Sequence, residues 1–289
     1  MTLKKNDLDQ LTRTSIHQTS PFNLTSLFHD VEKIRKTQPL IHNITNLVVM
    51  QTVANVLLAL GALPLMAHAK EEVETMIQNA QAFVINIGTL DTYWLSCIQQ
   101  GQYAALKRGI PILLDPVGAG SSFYRTQAAL TIIERGVDII RGNASEIMAL
   151  QDSSIKMKGV DTLQSSEHAI SSAYALAKKY ECIVVVSGKT DFIVRSSQHV
   201  ALRYGSALLT KVTGMGCALT AMMGSFLSVN PDRLRACVHT IAFMGLVSEY
   251  AEKKSNGPAS FCNNLLDLFY SVQKEDVQHL LKPNVSHEH

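Results

Sequence analysis

The sequence predicts an α/β fold: a mainly parallel central sheet with helices on both faces and an antiparallel edge. Three observations carry this. Short β-branched runs are apolar at nearly every position, helix-forming segments lie between them, and the pattern turns to alternating short runs late in the chain. Continuous apolar strands are buried on both faces, which requires helices above and below a parallel sheet. Of the 289 residues, 46% are hydrophobic and 17% charged. That supplies a large core and is far from the composition of disordered chains.

Taken in order, the polar start, with Lys4, Lys5 and Asp7 followed by Thr and Ser, predicts a poorly ordered extension over residues 1–22 and no secretory signal. Residues 23–289 then form one domain, within reach of a single α/β core of about 250 residues. Leu47–Ala69 carries no Lys, Arg, Asp or Glu and has the length of a membrane span. Gly61 and Pro64 divide it instead into a buried helix near Val48–Leu60 and a short strand near Leu63–Met66. Strands follow at Phe83–Ile87, Ile112–Leu114, Val137–Ile140 and Ile183–Val186, alternating with helices at Glu71–Ala82, Thr92–Arg108, Arg125–Arg135 and Ser165–Lys179. Phe192–Arg195 and His199–Tyr204, joined by a turn at Ser196–Gln198, predict antiparallel strands, and helices begin near Gly214 and at Asp232–Lys253.

Net charge is +2, and the basic residues are scattered, so the footprint of a nucleic-acid binder is missing and small ligands are the expected partners. Cys97, Cys182, Cys217, Cys237 and Cys262 form no CxxC pair and no regular framework. This argues against a zinc site and a disulfide scaffold and suits a reducing cytoplasm.

Ligands in open α/β sheets bind beyond the carboxyl ends of the strands. Polar residues follow several strands there: Asn43 to Asn46, Asn86 to Asp91, Asp115 to Gly118, Gly142 to Glu146, and Ser187 to Thr190. The strongest element is Val212-Thr213-Gly214-Met215-Gly216-Cys217-Ala218, where glycines let the backbone turn and approach a ligand while the following helix leaves its first N–H groups unpaired. Such a turn either holds an anion or allows close packing of helix on sheet. Ser187-Gly188-Lys189-Thr190 ends like a Walker A loop, but the required first glycine falls at Ile183 and a strand follows in place of the phosphate-binding helix.

Together these blocks resemble hydroxyethylthiazole kinases of the ribokinase-like superfamily. The resemblance runs from about Pro39 to Tyr270 and rests on Ile41-His-Asn-Ile-Thr-Asn46 with Met50, Asp115-Pro-Val-Gly-Ala-Gly120, Arg141-Gly-Asn-Ala-Ser-Glu146, Val186-Ser-Gly188, Val212-Thr-Gly-Met-Gly-Cys217 and Gly257-Pro-Ala-Ser-Phe261. It implies a ribokinase-like three-layer sandwich, a homotrimer with active sites between subunits, and ATP with Mg²⁺ phosphorylating the primary alcohol of a thiazole. It also implies roles. Met50 and Asn43 line the thiazole pocket, Gly214 lies beside the alcohol, and Arg125, Ser187 and Thr213 approach ATP. Asp115 and Glu146 stand near Mg²⁺, unless each only caps a turn or helix. Gly214, Gly216 and Cys217 form the catalytic turn. Met50 has the alternative of an ordinary core methionine, Arg125 of a solvated arginine, and Cys217 of a small buried residue.

Cysteine at position 217 replaces the aspartate base usual in the superfamily's sugar kinases. A helix N-terminus lowers a thiol pKa, so a partial thiolate at neutral pH is physically reasonable, while the sequence alone does not give the protonation state of Cys217. Ala259 stands where the resembled family more commonly has a second glycine. The alternatives are a sugar or pyrimidine kinase, an ADP-dependent dehydratase and, outside enzymes, a membrane-associated vitamin-binding protein.

Overall fold

A computed structural model describes residues 22–152 and 166–281. The predicted extension over residues 1–22 lies outside the described residues apart from Phe22, as does Ser165 at the start of a predicted helix. The chain opens with α1 (Leu24–Thr37), capped by Asn23, whose side chain accepts the Ser26 N–H. Then follow β1 (Leu40–Ile44), α2 (Met50–Leu60), β2 (Leu63–Leu65), α3 (Val73–Ile77), β3 (Ala82–Asn86) and α4 (Thr92–Arg108). The middle of the chain supplies β4 (Ile112–Asp115), α5 (Phe123–Arg135), β5 (Ile139–Asn143), α6 (Ala144–Gln151), α7 (Ile170–Tyr180) and β6 (Ile183–Ser187). A hairpin of β7 (Asp191–Arg195) and β8 (Gln198–Leu202) precedes α8 (Met215–Val229), α9 (Arg233–Lys253), α10 (Pro258–Ser271) and the short α11 (Lys274–Val277).

These strands form one sheet in the order β2-β1-β3-β4-β5-β6-β7-β8. Pairing is parallel from β2 through β6 and antiparallel at β6–β7 and β7–β8. The expected mixed edge is therefore present, and the stretch after Ser187 turns straight into β7, which excludes the P-loop geometry. Leu47–Ala69 divides into α2 and β2 as expected, and among the described residues no helix is long and apolar enough to cross a membrane.

One helix differs from expectation. The predicted helix over Glu71–Ala82 shortens to α3 because the sheet claims its end: Gln81 N–H donates to Leu40 O, and Ala82 pairs with Ile41. Conversely, α1 and α10 have amphipathic patterns that the sequence reading does not assign.

Two hydrophobic layers sandwich the sheet. One gathers α1, α2, α8, α9 and α10, with Phe226, Phe243 and Phe269 at its centre. The other gathers α3, α4, α5, α6 and α7 around Phe83, Ile85 and Leu114. Each fully buried side chain of this size contributes about 1.5–3 kcal/mol relative to its exposed state. The layers also orient the site, since successive strand residues face opposite layers.

Candidate active site

The period-two alternation decides which polar residues can meet. Ile41 of β1, Val84 of β3, Leu113 of β4, Ile139 of β5 and Val185 of β6 all face the α8 layer. Counting two residues on along each strand brings Asn43, Asn86, Asp115, Arg141 and Ser187 to that same face at the carboxyl end of the sheet. Registers agree, with Asn86 beside Asp115, and Asn143 beside Ser187. Five neighbouring strands thus present a polar row directly below the start of α8.

α8 begins at Gly214, which has φ +88° and no side-chain cap. A Cβ there would stand 3.0 Å from Val49 Cγ1 as well as adopting a backbone conformation that L residues avoid. The uncapped N–H groups of the first turn, from Met215 to Cys217, therefore supply the anion-attracting end of a 15-residue helix. Gly216 answers a different need. A Cβ on it would meet Arg141 Nη1 at 2.8 Å, so the missing side chain is what lets the guanidinium lie under the turn.

Arg141 is the central cation. Its Nη1 lies 3.8 Å from Asp115 Oδ2, with side-chain exposures of 12% and 2%. Asp115 also accepts a 2.9 Å hydrogen bond from Thr220 Oγ1, which pins β4 to α8 one turn beyond Gly216. Burial raises the Asp115 pKa, against the lowering effects of Arg141, Thr220 and Asn86. Glu146 is pushed up to about 7, first by burial and then by the Asp115 charge. Asp191, at the start of β7, is pushed up to about 6 by burial, opposed by the Gly188 N–H and by Arg141. One guanidinium thus bears on three carboxylates, two of them buried, and on the Cys217 thiol. In the sequence Arg141 is only the first residue of the block that ends at Glu146, and nothing local marks it for a role. The signal that could have found it was its phase in β5, two residues beyond core-facing Ile139.

Glu146 does cap a helix. Asn143 accepts the Glu146 N–H, Glu146 Oε2 accepts the Asn143 N–H at 2.9 Å, and Glu146 Oε1 accepts the Gly118 N–H at 2.9 Å. This box fixes the carboxyl within electrostatic range of Asp115. Each oxygen keeps a second lone pair, so capping and cation binding are compatible.

Cys217 lies in the first turn of α8, half-buried, with Asn46 Nδ2 donating to its Sγ at 3.7 Å and to Asn86 Oδ1 at 2.8 Å. The surroundings of the thiol act against the helix terminus. Burial first, and Asp115 second, push the thiol up to about 12, outweighing Asn86, Arg141 and Asn46. A thiol next to a buried carboxylate stays protonated at neutral pH even at a helix N-terminus.

The remaining expected residues fall as follows. Ser187 ends β6 and donates to Gly142 O at 3.2 Å, and Thr213 is exposed just before the turn. Asn43 donates to Ile41 O and leaves a buried Oδ1 without a partner. Met50 opens α2 and packs against the opposite layer, whereas Met66, just past β2, packs against the α8 layer. Arg125 donates to the carbonyls of Ile87 and Gly88 at 2.6 Å and of Val117 at 3.1 Å, bracing the loops after β3 and β4. Two buried polar atoms in the strand row, Asn43 Oδ1 and Arg141 Nε, have no hydrogen-bond partner. Buried polar atoms are rarely left so except where a ligand or ordered water meets them.

Comparison with known proteins converges on one group. The sequence profile of the Hydroxyethylthiazole kinase family matches residues 31–275. A hydroxyethylthiazole kinase of Leptospira biflexa is 44% identical over 259 residues, covering 89% of this chain and 97% of the relative. One from Syntrophus aciditrophicus is 45% identical over 254 residues, covering 87% and 94%. The solved structure of the hydroxyethylthiazole kinase protein from Pyrococcus horikoshii superimposes with a TM-score of 0.81 at 38% identity, covering 88% of this chain and 96% of that one. A pyridoxal kinase structure from Staphylococcus aureus shares the fold at 14% identity and a TM-score of 0.56.

Proposed function

The chain belongs to the hydroxyethylthiazole kinase family, and from that premise we propose that it transfers the γ-phosphate of ATP to the primary alcohol of 4-methyl-5-(2-hydroxyethyl)thiazole, a step of thiamine salvage. The observation that carries the reading is the meeting of the uncapped α8 turn with the Asp115–Arg141 pair. Phosphoryl transfer needs little covalent chemistry from the protein and much fixed electrostatics, which these groups provide.

In this reading the amides of Met215 to Cys217 face the migrating phosphoryl oxygens, and Arg141 holds the phosphate chain from below. Ser187 and Thr213 border the nucleotide side. Asn43, Met50 and Gly214 border the acceptor, and Met66 joins them because it lies on the α8 side of β2. Arg125 contributes by holding the two loops that carry Gly88 and Gly118. Cys217 acts as a neutral thiol that fixes the hydroxyl; the loose transition state leaves the alcohol proton in place until late, so a strong base is dispensable.

Asp115 and Glu146 fit a divalent cation. They are two buried carboxylates, and the Asp115 charge adds to burial in raising the Glu146 pKa; no group of three or more His, Cys, Asp or Glu suited to a metal occurs among the described residues. Mg²⁺ carried in by ATP and held by two carboxylates, directly or through water, suits such a pair and supplies charge neutralisation of the phosphates.

Leu47 and Val48, 65% and 68% exposed beside Asn46, form an apolar edge to the site. Covering by a neighbouring subunit in a homotrimer accounts for them. Free cysteines throughout the described residues suit a cytoplasmic location. The deciding experiment is ADP release by the purified protein with Mg·ATP and the thiazole alcohol. ADP release equal to that of a no-thiazole control, or phosphorylation of a sugar in its place, would reject the reading.

A further inference from the structure

Asn86 ends β3 at 2% exposure and lies beside Asp115 in the parallel register. Its Oδ1 accepts two hydrogen bonds, from the Gly88 N–H at 2.9 Å and from Asn46 Nδ2 at 2.8 Å. A backbone N–H only donates, so the atom facing Gly88 is the oxygen, and the direction of the amide follows from its surroundings. The nitrogen end is thereby turned toward Asp115 and Cys217, and its donor favours the charged form of each.

Asn46, just past β1, braces this arrangement. Its Nδ2 reaches both Asn86 Oδ1 and, at 3.7 Å, Cys217 Sγ. Room for that amide exists only because residue 88 is glycine: a Cβ there would stand 2.6 Å from Asn46 Nδ2. Thr220 and Arg141 approach Asp115 through the single oxygen Oδ2. Asp115 belongs to the cation side of the site and Cys217 to the acceptor side, and the Asp115 charge opposes ionisation of the thiol. Arg141 bears on both groups as a cation, whereas Asn86 does so without adding a charge that a phosphate would draw away.

We propose that Asn86 is a positioning residue for phosphoryl transfer, holding the Asp115 carboxylate and the Cys217 thiol in fixed relation, with Asn46 and Gly88 as its brace. The proposal rests on the kinase reading and adds to it the link between the two halves of the site. Asn86 acts through Asp115 and Cys217 instead of gripping a substrate, so its loss belongs in kcat. A misplacement of about 1 Å at reacting groups costs on the order of a hundredfold in rate.

The test uses Asn86→Asp in the full chain. This substitution keeps the shape of the side chain and an oxygen for both Gly88 N–H and Asn46 Nδ2, and removes only the donor. Assayed above the Glu146 transition at about 7, it should lower kcat by about a hundredfold while the KM values for Mg·ATP and thiazole move less than about threefold. In a Cys217→Ala background the same change should cost markedly less, because part of its effect runs through the thiol. A readout free of turnover is alkylation of Cys217 by iodoacetamide, followed by peptide mass. Loss of the donor and gain of a carboxylate should slow it relative to the native chain, whereas a merely loosened site would speed it. Native kcat in Asn86→Asp, full additivity with Cys217→Ala, or faster alkylation overturns the proposal. Those results require a native chain that turns over the thiazole; a native chain that does not sinks the kinase reading itself, so the two failures are distinguishable.

Discussion

Arg141 and Asp115 lie 3.8 Å apart on adjacent parallel strands, both facing the first turn of α8. The pair is almost removed from water, so its charges act on neighbouring phosphates with little screening.

Arg141→Gln is expected to lower kcat/KM for ATP by about 10²–10³, the usual cost of losing one such donor. Arg141→Lys should recover only part, since an ammonium cannot reproduce the planar fork. Thiazole affinity, measured by isothermal titration without nucleotide, should change little. A variant with native ATP kinetics would remove Arg141 from the phosphate site.

Gly216→Ala should mimic that loss without touching Arg141. The new Cβ meets Nη1 at 2.8 Å, and the flexible end of the arginine yields while the fold survives. A raised KM for ATP with nearly native thermal stability is the expected pair of results. Gly214→Ala adds a left-handed φ of +88° and crowding against Val49, and should lower both stability and kcat.

Cys217, with its thiol pushed up to about 12, should react slowly with iodoacetamide at neutral pH and show no activity limb from thiol ionisation. Cys217→Ala should mainly lower kcat. Cys217→Asp should keep or raise turnover by restoring a carboxylate to the same place. An increase in KM alone for the alanine variant contradicts this role.

Glu146, pushed up to about 7, must lose its proton to hold a cation. The pH profile of kcat/KM for Mg·ATP should therefore fall on the acid side of about 7, by roughly tenfold per pH unit, and move to lower pH as Mg²⁺ is raised. Stability follows the same group. Because its folded pKa lies above the ordinary 4.5, stabilisation is greatest below that value and is lost as pH rises through about 7. Added Mg²⁺ should raise Tm more above that range than below it. A flat profile and a pH-independent Mg²⁺ effect would exclude Glu146 from the cation site.

The sheet was largely legible because buried parallel strands must be apolar throughout: β3, β4 and β6 each fall within one residue of the expected runs, and β5 is displaced from its run by two residues at its start and three at its end. Thr92–Arg108 and the division of Leu47–Ala69 were equally legible, since Gly and Pro mark their ends in the sequence itself. Arg141 was not. A single arginine in an apolar strand looks like any other until the neighbouring strands fix which face it shares. The protonation of the Cys217 thiol was not legible for a related reason: the helix start is visible in the sequence, but burial and the Asp115 charge, which oppose ionisation, arise only in the fold, Asp115 coming from a strand about a hundred positions earlier.

Residue order alone determined the α/β class, the glycine turn and the set of polar strand ends, because each depends on local spacing and conformational freedom. Which of those polar ends share a face, which charge answers which, and where protons sit were decided only by the tertiary structure. Electrostatic energy depends on distance and burial between residues far apart in the chain, and neither quantity exists until the sheet has closed beneath α8.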